Sequence, residues 1–155
     1  MKGQPMLFPE LERPRAKPRV MMRILDVQPR RRMSSSFTIE MRPPPKAVRP
    51  NARVHHMARA RAVKHYRTVA RLLATHAMRG HRPPGWLKAR AHVVAYHATG
   101  NRMDPDNLIA SLKPAFDGIA DSGMISNDRG LWPERPEMLR GSPARVVITI
   151  SEEAE

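Results

Sequence analysis

Proline decides where regular structure can form in this chain, because it donates no backbone hydrogen bond and fixes its own φ angle. The chain has 16 prolines in 155 residues. Five of them interrupt the first 35 residues, which show no sustained periodicity: Pro5, Pro9, Pro14, Pro18 and Pro29. We therefore expect residues 1–35 to form a flexible basic arm, either loosely docked or adding phosphate contacts. Residues 36–152 are expected to form one folded domain and residues 153–155 the end of an acidic tail.

Three later segments alternate apolar and polar side chains, as half-buried strands do. They span residues 37–41, 89–97 and 145–151. Residues 56–79 instead have helical spacing. The buried stripe of that helix is predicted at Ala62, Tyr66, Val69, Leu73 and Ala77. Strands separated by helices predict an α+β fold, with a small sheet of three to four strands packed with two main helices.

The second helix is predicted to begin at Pro105, a favoured first helical residue, with Asp104 as its N-cap. Its end is predicted before Gly123, which suits the position after a helix. Pro114 interrupts the pattern, so we expect a kink or a break there.

Charge is unevenly distributed along the chain, whose net charge is +14. Residues 36–103 contain 14 Lys and Arg but one acid, whereas residues 104–155 contain 5 Lys and Arg and 10 acids. The excess of positive charge points to a nucleic-acid partner. Acids gathered beside a basic surface are expected of an enzyme that binds phosphate with one part and a divalent metal with another.

The residues that are missing narrow the possibilities. No cysteine is present, which excludes disulfides, thiolate metal sites and cysteine nucleophiles. No apolar run approaches the roughly 18 residues of a membrane span, and the N-terminus has no hydrophobic signal segment. We therefore expect no membrane partner and a cytoplasmic location.

The first helix has a stripe of positive side chains at Lys64, Arg67 and Arg71. Such a stripe is either an ordinary solvated face or a surface that follows a phosphate backbone, and the absence of interleaved acids favours the second interpretation. The complete set of predicted nucleic-acid contacts is Arg53, Arg59, Lys64, Arg67, Arg71 and Arg102.

The second helix has acids and a lysine on the side opposite its apolar residues. At 100° per residue, Asp106, Lys113 and Asp117 lie within about 40° of one another. Mg²⁺ prefers oxygen ligands and keeps several waters, so two or three carboxylates suffice to hold it. A lysine nearby can neutralise charge that develops on a phosphate. The competing interpretation is a capped amphipathic helix in a binding protein.

The run Asp104-Pro105-Asp106-Asn107-Leu108 is followed by Lys113, Asp117-Gly118-Ile119, Gly123-Met124-Ile125 and Asp128. This series resembles the RusA family of Holliday junction resolvases, in the form common in phages and prophages. The upstream strand, the Pro-rich loop, the run Arg49-Pro50-Asn51-Ala52-Arg53 and the basic helix are similar to the start of that family's domain. The sequence departs from the family at Asn127, where an acid is usual, at Pro114, and in a longer segment between Asn107 and Lys113.

The resemblance implies a RusA-like homodimer that uses Mg²⁺, for which Mn²⁺ may substitute, and no small-molecule cofactor. Such an endonuclease resolves four-way DNA junctions by paired symmetric nicks, in the cytosol of a bacterium or a phage-infected host. The implied catalytic residues are Asp104, Asp106, Lys113 and Asp128, and the three aspartates are the implied metal ligands. Asp117 is a possible additional site residue.

Three other functions stay open at this point. The chain could be a noncatalytic nucleic-acid-binding protein of the same fold. It could be a nuclease that acts on other branched DNA or on structured RNA. It could also be an interaction protein for which the high charge is incidental.

Overall fold

The structure, a computed structural model, describes residues 36–100 and 103–153. The predicted arm at residues 1–35 and the predicted contact residue Arg102 lie outside the described residues. Neither described helix has a stretch that is long and apolar enough to cross a membrane.

The described part alternates strands and helices and is a mixed α+β fold, as predicted. Its two α-helices are α1, His56–Ala77, and α2, Pro105–Asp121. Short 3-10 turns lie at Lys46–Val48 and Asp128–Gly130. The strands, in chain order from β1 to β5, are Ser36–Met41, Ala89–His97, Leu131–Pro133, Glu137–Arg140 and Arg145–Glu152.

The strands form one mixed sheet. β5 lies between β1 and β2 and is antiparallel to both. Along its other edge β2 pairs in parallel with β3 near its start and with β4 near its end. The three predicted strands are confirmed, but the expected number of three to four was wrong, since β3 and β4 bring the described sheet to five. Both are too short to show alternation, and Pro133 and Pro136 bound the segment between them.

The core lies between the sheet and the two helices. Alternate residues of β2 and β5 are buried against the helices, and the residues between them are at most half-buried. From α2 the core receives the apolar stripe predicted from the sequence, with Leu108, Leu112 and Ile119 each no more than 2% exposed. The period-two and helical patterns therefore identified the correct buried faces of these elements.

The prediction for α1 needs two corrections. The helix ends at Ala77 rather than Arg79, although Gly80 does adopt a positive φ of 85° just after it. The fully buried positions are Tyr66, Ala70 and Ala74, while the other four predicted stripe residues are half-buried. Small alanines occupy the buried face because α2 packs closely against it.

The helix α2 also departs from expectation. It runs through Pro114 without a break, and the proline is buried. Burial of the ring offsets part of the cost of the amide that proline lacks. Asp104 is the N-cap residue, as predicted, but its side chain makes no capping hydrogen bond. The predicted end is confirmed, because Gly123, with a φ of 81°, directly follows the C-cap Ser122.

The two helices approach each other closely at Gly118 of α2. A β-carbon placed there would lie 3.1 Å from the β-carbon of Ala70, and it would overlap the backbone carbonyl of Arg67. Backbone atoms of α1 cannot move aside as a flexible side chain can. Gly118 is therefore required for the distance at which α1 and α2 pack.

The substitution Gly118→Ala should lower the free energy of unfolding by about 1–3 kcal/mol, since the added methyl group forces the helices apart. Urea denaturation followed by circular dichroism measures this change. Gly100→Ala is the matched control, because a β-carbon there meets no atom within 4 Å. Equal denaturation midpoints for the two variants would contradict the tight crossing.

Candidate functional site

Lys113 connects two of the predicted site carboxylates. Its Nζ atom donates to Oδ1 of Asp117 at 2.9 Å and, at 3.5 Å, to Oδ2 of Asp128. Asp117 follows Lys113 by one helical turn. Asp128 reaches the lysine because the chain turns back after α2 and enters the second 3-10 turn, where the side chain of Asn127 accepts a hydrogen bond from the backbone of Arg129.

The two carboxylates change the protonation of the lysine. The hydrogen bond that Lys113 donates to Asp117 is the largest cause of the raised pKa of Lys113, and Asp128 contributes in the same direction. Lys113 therefore stays an ammonium ion throughout the neutral range. Its side chain is 65% exposed, so solvent screens these ion pairs and they add little to stability.

Lys113, Asp117 and Asp128 line a surface depression. Arg67 of α1 lines the same depression. The guanidinium of Arg67 donates two hydrogen bonds to Asp121, at 2.6 and 2.8 Å, in a bidentate arrangement. This pairing lowers the pKa of Asp121 below its ordinary value and raises that of Arg67. Asp121 was not among the predicted site residues, although its position one turn after Asp117 could have indicated it.

Asp104 and Asp106 lie at the other end of α2. Both are exposed, and they line a separate depression with Glu134 and Arg135 of the segment between β3 and β4. Asp106 and Lys113 are seven residues apart, which is about 10 Å along a helix. The structure therefore divides the predicted carboxylates between two depressions, with Asp104 and Asp106 in one and Asp117 and Asp128 in the other.

The two ends of α2 differ in how well they suit a divalent metal. Within residues 36–100 and 103–153, no three His, Asp or Glu side chains come together as a metal-binding group. Asp104 and Asp106 fit Mg²⁺ by donor chemistry, because this ion is commonly held by one or two carboxylates and several waters. At the other end, Asp117 and Asp128 share the ammonium of Lys113 as their ion-pair partner. Of the three predicted metal ligands, Asp104 and Asp106 thus line one depression, and Asp128 lines the other.

The predicted nucleic-acid contacts within the described residues are all exposed. They are Arg53, Arg59, Lys64, Arg67 and Arg71. The helix that carries four of them has no acidic residue. Since Arg67 lines the depression that holds Lys113, the basic face of α1 adjoins that end of α2.

Comparison with known proteins gives a relative but no activity. No family model matches the chain. An uncharacterized protein of Xylella fastidiosa strain Temecula1 is 36% identical over 109 residues, which cover 70% of this chain and 71% of that protein. The chain belongs to the same protein family as this Xylella protein.

The substitution Arg67→Gln should raise the pKa of Asp121 toward its ordinary value, because it removes the main cause of the lowered pKa. Carboxyl-carbon NMR across an acid titration measures this shift. Since the folded-state pKa is lowered, the pairing stabilises the fold above the unfolded pKa, and that contribution is lost as the pH falls through the folded pKa.

Arg71→Gln is the control for this titration. Arg71 acts on Asp121 only through a weaker charge interaction, so its removal should produce a smaller upward shift. An Asp121 pKa that is the same in Arg67→Gln and in the unsubstituted protein would contradict the bidentate pairing.

Proposed function

We propose that the protein is a Mg²⁺-dependent, structure-selective endodeoxyribonuclease that resolves four-way DNA junctions. The observation that carries the proposal is the contact between Arg67 and Asp121. It joins a helix face without acids to a helix that holds a charged lysine and four aspartates at or near its exposed side. Phosphate binding and phosphodiester chemistry need these two kinds of surface side by side.

In this proposal, separate residues bind the DNA, stabilise the transition state and hold the metal. Arg59, Lys64 and Arg71 contact the DNA backbone through its phosphates. Lys113, whose raised pKa keeps it charged, stabilises the negative charge that develops on the scissile phosphate. Asp104 and Asp106 hold the metal, which when bound supplies Lewis-acid polarisation of the phosphate and an activated water. Asp128 orients Lys113 through their ion pair.

The RusA-like order of residues supports the choice of a four-way junction as the substrate. A homodimer forms part of the proposal, because a two-fold assembly would place two such sites on the near two-fold symmetry of a junction. Paired symmetric nicks would then serve recombination, repair or phage DNA processing in the cytoplasm of a bacterium or an infected host.

A second candidate function is noncatalytic binding of nucleic acid by the same basic face. It is favoured by one observation, that Asp117 and Asp128 are both ion-paired with Lys113. In that function the ion pairs of Lys113 serve only to hold the second 3-10 turn against α2. Cleavage assays distinguish the two candidates, because both predict junction binding but only the first predicts cleavage.

Asp106→Asn should reduce Mg²⁺-dependent cleavage of a synthetic four-way junction by at least about a hundredfold while junction binding is retained. Gel assays of cleavage and of mobility shift measure the two properties, with linear duplex alongside. Glu137→Gln, which removes an exposed acid from β4, is the matched control and should cleave normally. Full activity of Asp106→Asn would reject the assignment of this carboxylate, and an inactive unsubstituted protein that binds junctions would favour the second candidate.

Lys64→Ala should weaken binding to DNA of any sequence and reduce the salt dependence of binding by about one unit of slope in log K against log salt. The physical reason is that fewer counterions are released when one phosphate contact is lost. Fluorescence anisotropy over a salt series measures the slope. Arg90→Ala removes a positive charge from the opposite face of the sheet and should leave the slope unchanged. Equal salt slopes for the two variants would contradict the contact between α1 and the DNA backbone.

A further inference from the structure

A cavity of about 300 Å³ lies at the start of α2. It does not include the Lys113 cluster, which consists of Lys113, Asp117 and Asp128. It is lined by the Pro-rich loop after β1, the end of β2 and the start of β5, and it opens to solvent. Part of its wall is apolar, including Pro44, Ala95 and Leu108. Hydrogen bonds made beside such a wall are stronger than they are in open water.

Two side-chain nitrogens that can act as donors are buried and have no hydrogen-bond partner among the described residues. They are Nε of Arg49 and Nε2 of His97, and both residues line the cavity. A buried donor without a partner is unfavourable, and more so where the group is charged. Because both residues line one cavity, the two nitrogens suggest a place where a hydrogen-bonding ligand would be stabilised.

A second arginine reaches the cavity from β5. The guanidinium of Arg145 lies 3.9 Å from the centre of the Tyr96 ring, and both residues line the cavity. Arg145 also donates to the carbonyl of Pro143, at 3.3 Å, and lies 3.8 Å from a carboxylate oxygen of Glu40. Stacking on an aromatic ring fixes the plane of the guanidinium, so less entropy is lost when it binds an anion.

The helix end adds to the positive character of the cavity. Asp104 and Asn107 line it, yet the side chain of Asp104 does not cap α2. The first-turn amides are therefore not satisfied by the cap residue, and they lie at the positive end of the helix dipole. The carboxylate of Asp104 is the opposing charge, so the cavity has two guanidinium groups against one lining carboxylate.

We propose that this cavity is a phosphate-binding pocket in which Arg49, Arg145 and His97 contact the phosphate oxygens. A phosphate group supplies several strong acceptors, as the two unpaired donors require, and guanidinium groups match its geometry. The source of the phosphate, a backbone phosphodiester of nucleic acid, rests on the proposed function. The pocket itself rests only on the donors, the charges and the cavity.

NMR titration of the labelled full chain tests the pocket, in buffer with a chelator and without magnesium. The probes are inorganic phosphate and the dinucleotide thymidylyl-thymidine, which has a single phosphodiester. Saturable shifts of the His97 imidazole and of the Nε–H signal of Arg49 are expected with both. Arg49→Gln should weaken binding at least about tenfold, since a charged hydrogen bond is lost.

Arg90→Gln is the matched control, because it removes the same charge from an exposed position of β2 outside the cavity and should change the affinity by less than about twofold. If Arg49→Gln does not fold, His97→Gln carries the same expectation. Unsaturable shifts spread over all surface arginines would overturn the pocket. Binding of inorganic phosphate without the dinucleotide would overturn the nucleic-acid source.

The titration involves no cleavage, so its failure is distinguishable from failure of the proposed function. If the protein cleaves junctions but shows no saturable shift at His97, only the pocket proposal is contradicted. If the protein binds the dinucleotide in the pocket but cleaves no junction, the proposed activity is contradicted and the pocket proposal is supported.

Discussion

The close packing of α1 on α2 at Gly118 is the constraint on which the candidate site depends. Only a residue without a side chain allows the backbone of α1 near Arg67 to approach so closely. That approach brings Arg67 within hydrogen-bonding distance of Asp121 and places a helix without acids beside a helix rich in them. If the helices were further apart, the basic face and the Lys113 cluster would be two unrelated surfaces.

Much of the fold could be predicted from the sequence because long elements repeat their pattern several times. The strands β2 and β5 alternate over eight or nine residues, and proline and glycine mark both ends of α2. The strands β3 and β4 could not be predicted, since three or four residues contain too few repeats and their pairing depends on β2. The break expected at Pro114 does not occur, and burial of the ring offsets part of the cost of the missing amide.

The candidate site was predictable only where its geometry is local. The contact between Lys113 and Asp117 follows from helical spacing alone. Asp128 was assigned by family resemblance to the same ion as Asp104 and Asp106, whereas in the structure it contacts Lys113. The pairing of Arg67 with Asp121 and the cavity around Arg49 and His97 join segments that are distant in sequence, and no periodic pattern encodes such contacts.

Asp104 lies at the boundary between the acidic depression and the phosphate pocket, since it lines both. A phosphate in the pocket is repelled by the free carboxylate, and a cation held by Asp104 and Asp106 removes that repulsion. By linkage, each ligand must then strengthen binding of the other by the same factor. The absence of a capping hydrogen bond from Asp104 is consistent with this arrangement, because a carboxylate committed to the helix amides would be less available to either ligand. If both proposed sites bind their ligands, Asp104 would couple them through its charge.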